Sequence, residues 1–487
     1  MYQPPEPEAS HPLNDKNLGA FSDLATEVIV QILSNVSWKD LLSIRQACKF
    51  FEGVSRTRSL WENLVEQYST PTENSPRSLR LELPMSMYTS AEFEQQITRW
   101  KRSQLAWRQG KVYKRHTITE DFWANTIHLV KGGRWLLRHL TDHGSVVCHD
   151  LDNRHIEPVT LIPAVHPRAE WSNSIMAVEE IDDAPCLIIR LALVYTVAEG
   201  DSQRRTDIWS SHLIADGPQQ TDAVFTLKLC SSFTLPANFT SVYLVSLLGE
   251  CIAFKFTCAS TDLSFLAVVN WVNGEWKNNE YPRQYISSIQ HHEPLHFSLL
   301  ARNRMFVVLN DAQLVLWSFE GSKETTDAPN PDSPDGQLLW SHNAQSGQCY
   351  QMSGPFVCTD STRLIISFHS SISGVIIPND HPEQTTIFKL MDITADPRFL
   401  IQHSYCWTAR VGPGLASAIT FRWPDEHGDA LVTPISAGHE FCPADLSDQV
   451  YLSSWEAFRM LFDESSGRIV TELTLTRTID IWEAHTT

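Results

Sequence analysis

Apolar residues recur at helical spacing in three consecutive stretches between residues 18 and 68. The first begins after Asp23, the second opens at Ser37 with Asp40 three residues later, and the third begins near Ser59. A serine followed at this spacing by an acidic residue is typical of a helix start, because each group can cap the other. The pattern predicts three short helices, with these apolar positions: Leu24, Val28, Ile32, Leu33; Leu41, Leu42, Ile44, Ala47, Cys48, Phe51; Leu60, Trp61, Leu64, Val65, Tyr68.

This small helical unit contains more apolar residues than one core can hold. A single core below roughly 70–80 residues rarely supplies more than about 3–5 kcal/mol. The adjacent pairs Leu41–Leu42 and Phe50–Phe51 cannot all face inward. The surplus indicates either a face for another protein or an ordinary helical subdomain that packs on the rest of the chain.

The residues of this unit resemble an F-box of the fungal type. Its motif positions are occupied in order by Leu24, Ala25 and Glu27 ("LPxE"), Ile32–Leu33 ("IL"), Asp40–Leu41–Leu42 ("DLL"), Cys48–Lys49 ("CK") and Leu60–Trp61 ("LW"). Ala25 replaces the usual Pro, and Phe51 stands where Trp is common. The resemblance covers residues 18–68, about a tenth of the chain.

The resemblance implies a partner, the Skp-family adaptor of a cullin–RING ubiquitin ligase. It also implies which residues bind that adaptor or hold the helices that do: Leu24, Ala25, Val28, Ile32, Leu33, Leu41, Leu42, Cys48, Phe51, Leu60 and Trp61.

Residues 69–88 are rich in Pro, Ser and Thr and are predicted to form a linker. A connecting helix is predicted at residues 89–110, because Thr89 and Glu92 form a capping box and Gly110 stops the pattern. Four basic residues lie on the surface of this helix, where they form either a solvated face or a docking face for an acidic partner: Arg99, Lys101, Arg102 and Arg108.

From residue 111 to residue 487 the pattern changes to short β-type runs broken by Gly, Asn, Asp and Pro. Starts recur about every 50 residues, which favours a β-propeller-like domain of about seven units. The units span residues 126–151, 171–213, 241–276, 296–319, 354–393, 405–435 and 458–482. Six or eight blades and a β-sandwich are alternatives. Residues 321–336 are predicted to be a disordered insertion.

Three of these units end in an apolar residue followed by Trp: Ile208–Trp209, Leu316–Trp317 and Ile481–Trp482. These pairs resemble degenerate WD-type repeats, although the Gly-His and Trp-Asp signatures are missing. The predicted fold class is therefore α+β and multidomain: an F-box, a linker and helix, and a mainly-β propeller-like domain.

The distribution of charge along the chain limits the class of partner that the protein can bind. Residues 1–115 hold 15 Lys/Arg and 13 Asp/Glu, a net of +2, and residues 116–487 hold the remaining 23 and 44, a net of −21. An acidic body of this kind argues against nucleic-acid binding.

Residues 1–17 are predicted to be a disordered tail without signal-peptide features. No apolar run is long enough to cross a membrane. Scattered cysteines without a CxxC pair favour a cytoplasmic or nuclear location.

Motifs for phosphate, dinucleotide, zinc or acyl-transfer chemistry do not occur in the sequence. The adjacent His291–His292 would point to opposite faces of a strand, which disfavours a shared metal. We therefore predict no catalytic residue, cofactor or metal. The expected function is recognition of an unknown protein target for a ubiquitin ligase. A scaffold without a ubiquitin target and a propeller hydrolase are the alternatives.

Overall fold

The computed structural model describes most of the chain and divides it into two compact units, each made of two pieces of sequence. The first unit is Met1–Gln67 with Tyr88–Ile97, and the second is Tyr68–Met87 with Thr98–Thr487. The predicted tail at 1–17 and most of the predicted insertion at 321–336 lie outside the described residues. The described residues are 24–73, 75–109, 112–153, 157–164, 169–197, 203–215, 223–236, 239–258, 263–272, 283–288, 293–322, 325, 336–344, 349–392, 400–403, 407–412, 415–420, 423, 458–473 and 477–484.

Five α-helices form the helical part of the described chain: α1 Thr26–Leu33, α2 Trp38–Ile44, α3 Lys49–Ser55, α4 Arg58–Ser69 and α5 Ser90–Gln109. The two caps predicted from the sequence are confirmed. Ser37 Oγ accepts from the Asp40 N–H at 3.3 Å. The Thr89 N–H donates to Glu92 Oε2 at 2.6 Å, and the Glu92 N–H donates to Thr89 Oγ1 at 3.3 Å.

The second predicted helical stretch is divided into α2 and α3 by a turn at residues 45–47. The N–H groups of Gln46 and Ala47 bond three residues back instead of four, which tightens and ends α2. Cys48 then has extended backbone angles (φ −162°, ψ 164°) and directly precedes α3. Of the apolar residues after Ile44, Val54 is buried and Phe51 is half-buried, whereas Cys48 and Phe50 stay exposed.

The core of the first unit is apolar, with a few polar contacts that fix its helices. Ile29, Leu41, Trp61 and Val65 are at most 1% exposed. The Trp61 indole N–H donates to the Ser55 carbonyl at 2.8 Å. One ion pair, Arg45 with Glu94, is bidentate at 2.7 and 2.8 Å and joins the α2–α3 turn to α5.

The β-strands of the second unit form seven antiparallel sheets, each mostly a run of consecutive strands. The first three are β2 Ala124–Leu129, β3 Trp135–Leu140, β4 Val146–Asp150, β5 Val159–Ile162; β6 Ala169–Glu180, β7 Ile188–Val197, β8 Gln203–Ala215, β9 Ala223–Thr234; and β10 Phe239–Leu248, β11 Cys251–Cys258, β12 Ser264–Asn270, β13 Arg283–Ser288.

The other four sheets follow the same plan, and one of them has three described strands instead of four or more. They are β14 Pro294–Leu300, β15 Arg304–Leu309, β16 Gln313–Ser318, β17 Gln337–Asn343; β18 Cys349–Met352, β19 Phe356–Val357, β20 Ser361–Phe368, β21 Ser371–Pro378, β22 Thr386–Asp392; β23 Leu400–His403, β24 Trp407–Gly412, β25 Leu415–Thr420; and β26 Phe458–Asp463, β27 Arg468–Leu473, β28 Thr478–Ala484 with β1 Val112–Thr119.

The first strands of the seven sheets contact one another in a closed ring, in the order β2, β6, β10, β14, β18, β23, β26 and back to β2. The ring is completed by β1, which pairs with β28 from Val112↔Ala484 to Thr119↔Thr478. A strand from the start of the domain therefore completes the sheet formed by its end. This arrangement is a β-propeller, so the predicted fold class is confirmed.

Arginines on the second strand of a sheet link that sheet to the next. Each donates to a carbonyl in a turn of the following sheet: Arg190 to Gly249 at 3.1 Å, Arg304 to Asn379 at 3.4 Å, and Arg468 to Gly133 at 2.5 Å. A buried backbone carbonyl needs a donor, and a guanidinium reaches across the gap between two sheets. These contacts stabilise neighbouring sheets against each other.

Residues 77–83, called the strap below, belong to the second unit although the sequence pattern assigns them to a linker. Leu79 and Leu83 are buried. Arg80 donates to Asp182 Oδ1 at 3.0 Å, and the Glu82 carboxylate accepts from Arg134 at 2.9 Å. The strap therefore packs on the edge of the first two sheets that carries the β2–β3 and β6–β7 turns.

Within the described residues, no helix is both long enough and apolar enough to cross a membrane.

Candidate functional site

The eleven residues singled out in the helical unit divide by exposure into three groups. Four are buried: Leu33, Leu41, Leu60 and Trp61. Two are half-buried: Leu42 and Phe51. Five are exposed: Leu24, Ala25, Val28, Ile32 and Cys48. The sequence pattern placed all of them in one set, and the structure separates those that hold the helices from those that face solvent.

Helix α1 has two apolar faces. Ile29 and Leu33 lie four residues apart on the buried face. Val28 and Ile32 follow the same spacing on the other face and are 43% and 46% exposed. Leu24, two residues before the helix, is 38% exposed and extends this apolar stripe. An exposed apolar stripe of this kind costs solubility, and a binding partner that covers it removes that cost. The exposed stripe of α1 is the clearest candidate binding surface of the first unit.

Both ends of α1 are fixed locally. At its start the Ala25 carbonyl accepts the N–H groups of Val28 at 3.0 Å and Ile29 at 3.3 Å, without a capping side chain. At its end the Ser34 hydroxyl and the Asn35 amide both donate to the Gln31 carbonyl, at 2.8 and 2.9 Å. These bonds hold the exposed stripe on a short, well-defined helix.

Phe50 adds a further exposed aromatic side chain that the motif matches did not include. It is 40% exposed and makes an edge contact with Phe51, whose ring centroid is 5.6 Å away. Helix α3, which carries both rings, contacts α1. The adjacent Phe–Phe pair was the signal in the sequence, since two neighbouring rings on one helix cannot both be buried.

The second unit exposes an aromatic pair at the edge opposite the strap. Phe122 and Trp123 lie between β1 and β2 and are 38% and 36% exposed. The Trp123 carbonyl accepts from the Thr141 N–H at 2.9 Å, and the Arg477 guanidinium lies 5.4 Å from the Trp123 ring centroid. The pair is thus held in place before any partner binds, and sequence reasoning did not identify it.

Buried ionisable groups of the second unit have partners that suit a structural role. Burial alone would raise the pKa of Glu180, but its hydrogen bond to His128 and the nearby Lys131 and Arg80 lower that pKa to about 2. Burial dominates for Glu472 and raises its pKa, although Arg459 and Arg138 oppose the shift. Charges matched in this way hold sheets together.

Burial lowers the pKa of three histidines: His139 to about 4, and His149 and His403 to about 3. They are therefore neutral at physiological pH. Among the described residues, no group of three or more His, Cys, Asp and Glu is arranged to hold a metal ion.

A cavity of about 370 Å³ lies between the fourth and fifth sheets, where His342, Ser373 and Phe388 line it. Its carboxylate, Asp392, accepts from Lys389 at 2.9 Å. Both side chains are largely exposed, so this is a surface ion pair at the rim of the cavity.

Residues 21–67 match the family model described as F-box-like. No curated protein matches the chain. Similar solved structures include the Pan2 WD40 domain from Neurospora crassa (TM-score 0.40, 7% identity, 77% of this chain and 96% of that one). Others are the AfRom2 CNH domain (0.37, 11%, 77% and 99%) and Sqt1 from Chaetomium thermophilum (0.38, 12%, 72% and 80%).

The strand order and the closed ring of first strands show the β-propeller. The chain thus combines an F-box-like segment with a β-propeller.

Proposed function

We propose that this chain, an F-box-like segment joined to a β-propeller, is the substrate-recognition subunit of an SCF-type cullin–RING ubiquitin ligase. One observation supports the proposal most strongly: the segment that matches the F-box-like model also presents the exposed apolar stripe. The proposed location is the cytoplasm or the nucleus, where such ligases act.

The adaptor contact is assigned to the exposed stripe. Leu24, Val28 and Ile32 supply apolar area that the Skp-family adaptor covers, and Phe50 extends that area on α3. A specific interface buries about 1,200–2,000 Å² and depends on a few anchors of this kind. Buried members of the predicted set, such as Leu41 and Trp61, act indirectly by holding the helices.

The propeller is assigned to the protein target. The strap already occupies part of one edge of the ring, so the edge with Phe122 and Trp123 is the proposed contact surface. Aromatic side chains are common among the residues that dominate interface energies, and rigid ones lose little entropy on binding. The net charge of −21 over residues 116–487 favours a target segment rich in Lys and Arg.

The role of the chain in this proposal is to position the target. Holding a target beside a charged conjugating enzyme raises the effective concentration of its lysines. This role requires no catalytic residue in the chain.

The test replaces the exposed stripe and leaves the core intact. We expect Val28→Asp with Ile32→Asp to abolish co-purification with the Skp-family adaptor, because two carboxylates would be buried in the interface. The far-ultraviolet circular dichroism should stay unchanged, since both side chains face solvent. Gln31→Asp is the matched control, because Gln31 is an exposed polar residue of the same helix.

An unchanged adaptor yield from the double variant would disprove the assigned surface. Adaptor binding without ubiquitin transfer to any co-purifying protein would instead identify a scaffold. Leu41 and Leu42 are unsuitable for this test, because Leu41 is fully buried and its replacement would unfold the unit.

A further inference from the structure

Strand β9 forms an unusually long outer edge of the second sheet. It has 12 residues, whereas the outer strands of the neighbouring sheets, β5 and β13, have 4 and 6. Within the described residues β9 pairs with β8 and with no other strand. Strand β5 of the first sheet lies near β9 without pairing with it, so in the part of the chain that the structure describes the far side of β9 offers backbone N–H and C=O groups to a further strand.

The first half of this edge lacks the features that usually prevent strand addition. Residues 223–229 (AVFTLKL) contain no Pro, no acidic residue and a single Lys. Their pairing with β8 is regular, and the bulge between Ile208 and Trp209 lies beyond them. Val224 is 55% exposed, and Ile214, opposite it on β8, is 51% exposed.

We propose that β9 pairs antiparallel with β9 of a second copy of this chain, about a two-fold axis at Thr226. The segment is self-complementary in this register. The pairs across the axis would be Thr226 with Thr226, Phe225 with Leu227, Val224 with Lys228, and Ala223 with Leu229. Apolar residues meet apolar residues on one face, and the lysines do not face each other.

Charge also favours this edge over the rest of the propeller for contact between copies. The proposed contact at residues 223–229 carries one charged residue, Lys228, whereas residues 116–487 carry a net of −21. Two copies would repel each other through most of their surfaces, and least through this edge. Added salt screens the remaining repulsion, so association should strengthen as salt rises.

The interface would be small, because one strand from each copy buries less surface area than a permanent dimer requires. We therefore expect reversible dimers whose population rises with protein concentration. This proposal does not depend on adaptor or target binding.

The experiment is sedimentation of the full chain over a wide range of concentration at about 0.1 M and about 1 M salt. Thr226→Asp and Thr226→Lys should each weaken dimerisation about fivefold, because each places like charges directly opposite across the axis. A mixture of the two variants should dimerise at least as well as the unmodified chain, since the charges are then opposite. Ser341→Asp and Ser341→Lys are the matched controls, on the outer strand β17.

Restoration in the mixture separates a contact at Thr226 from simple misfolding, which mixing cannot repair. A chain that stays monomeric at all concentrations overturns the proposal. Dimers that persist in Thr226→Asp, or that Ser341→Asp weakens equally, overturn it as well.

Discussion

The two units differ in which side chains depart from the usual burial pattern: apolar ones are exposed in the first, and charged ones are buried in the second. In the helical unit, large apolar residues such as Val28 and Ile32 lie at the surface, and the core residues are almost all apolar. In the propeller, charged residues such as Arg138 and Arg468 are at most 1% exposed. The first unit thus places apolar groups where a partner can cover them. The second places charges where they close its ring.

The usual burial pattern places apolar residues inside and charged residues outside. The two units depart from this pattern in different ways, and each departure has its own interpretation. An exposed apolar stripe on an 8-residue helix has no structural benefit, so it indicates binding. A buried arginine with acceptors on two sheets has a structural benefit, so it indicates assembly of the fold. The predictions below test whether the exceptions in the two units have these separate causes.

The largest effect is expected for Arg468→Met. Arg468 is fully buried, donates to Glu483 at 2.7 Å and also pairs with Asp152. Its removal takes the donor from the buried Gly133 carbonyl and one cation from each carboxylate, while Arg99 still pairs with Asp152 and Arg115 with Glu483. We expect this loss to cost about 3–5 kcal/mol of unfolding free energy. Hydrogen exchange followed by mass spectrometry should show lost protection in β26–β28 and β1–β3, and unchanged protection in α1–α3.

Arg477→Met serves as the control, because Arg477 is exposed and donates to the Asp121 carbonyl at 2.6 Å. We expect it to cost about 1 kcal/mol or less. Equal effects of the two substitutions would contradict the assignment of buried arginine to ring closure.

The next effect compares two neighbouring residues of α1. Leu33 is 5% exposed and Ile32 is 46% exposed. Leu33→Ala should cost about 2–5 kcal/mol, because it leaves a cavity in the core. Ile32→Ala should change stability by about 0.5 kcal/mol or less. Urea unfolding monitored by the helical circular dichroism signal measures both.

For adaptor binding we expect the opposite: Ile32→Ala should weaken binding by more than its small effect on stability explains. A stability loss for Ile32→Ala as large as that for Leu33→Ala would show that both faces of α1 belong to the core.

The smallest effect concerns pH and the buried histidines. A histidine in the unfolded chain has a pKa near 6.5, whereas burial lowers that of His403 to about 3 in the fold. Between these values the unfolded chain binds more protons, so stability is intact above about pH 6.5 and declines as pH falls. Each such histidine contributes about 1.4 kcal/mol per pH unit in that window.

His403→Gln should therefore reduce the pH dependence of unfolding between about pH 6 and pH 5. Gln can still bond to Ser367 Oγ, which lies 2.7 Å from His403 Nε2. His212→Gln is the control, because His212 is exposed. An unchanged slope in His403→Gln would mean that His403 is accessible to protons in the folded chain.

Local features of the fold were predictable from the sequence because they depend on near neighbours. The Ser37 and Thr89 caps need residues three positions away. The predicted β units at 126–151 and 458–482 correspond to β2–β4 and β26–β28, because period-2 alternation is a local signal. Both apolar-Trp pairs at 208–209 and 316–317 lie on the third strand of a sheet.

Other features depend on residues far apart in the chain, and the sequence pattern does not contain them. The pairing of β1 with β28 and the contact of Arg468 with Gly133 join residues more than 300 positions apart. The strap lies within residues 69–88, whose Pro, Ser and Thr content predicted a linker, and its anchoring depends on charges near residue 180. Likewise, α1 is apolar on two faces, so periodicity alone could not show which face is buried.

The completion of the last sheet by β1 sets an order of events during synthesis. The residues that meet there, such as Arg115 and Glu483, are 368 positions apart. At the usual rate of translation, about 5–20 residues per second, β1 waits roughly 20–70 s for its partner. During that time the helices α1–α4 are complete, and an unpaired strand edge is exposed to chaperones and to other nascent chains. A chain released before residue 478 therefore lacks β28, so its helices α1–α4 are complete while β1 is unpaired and the ring is open.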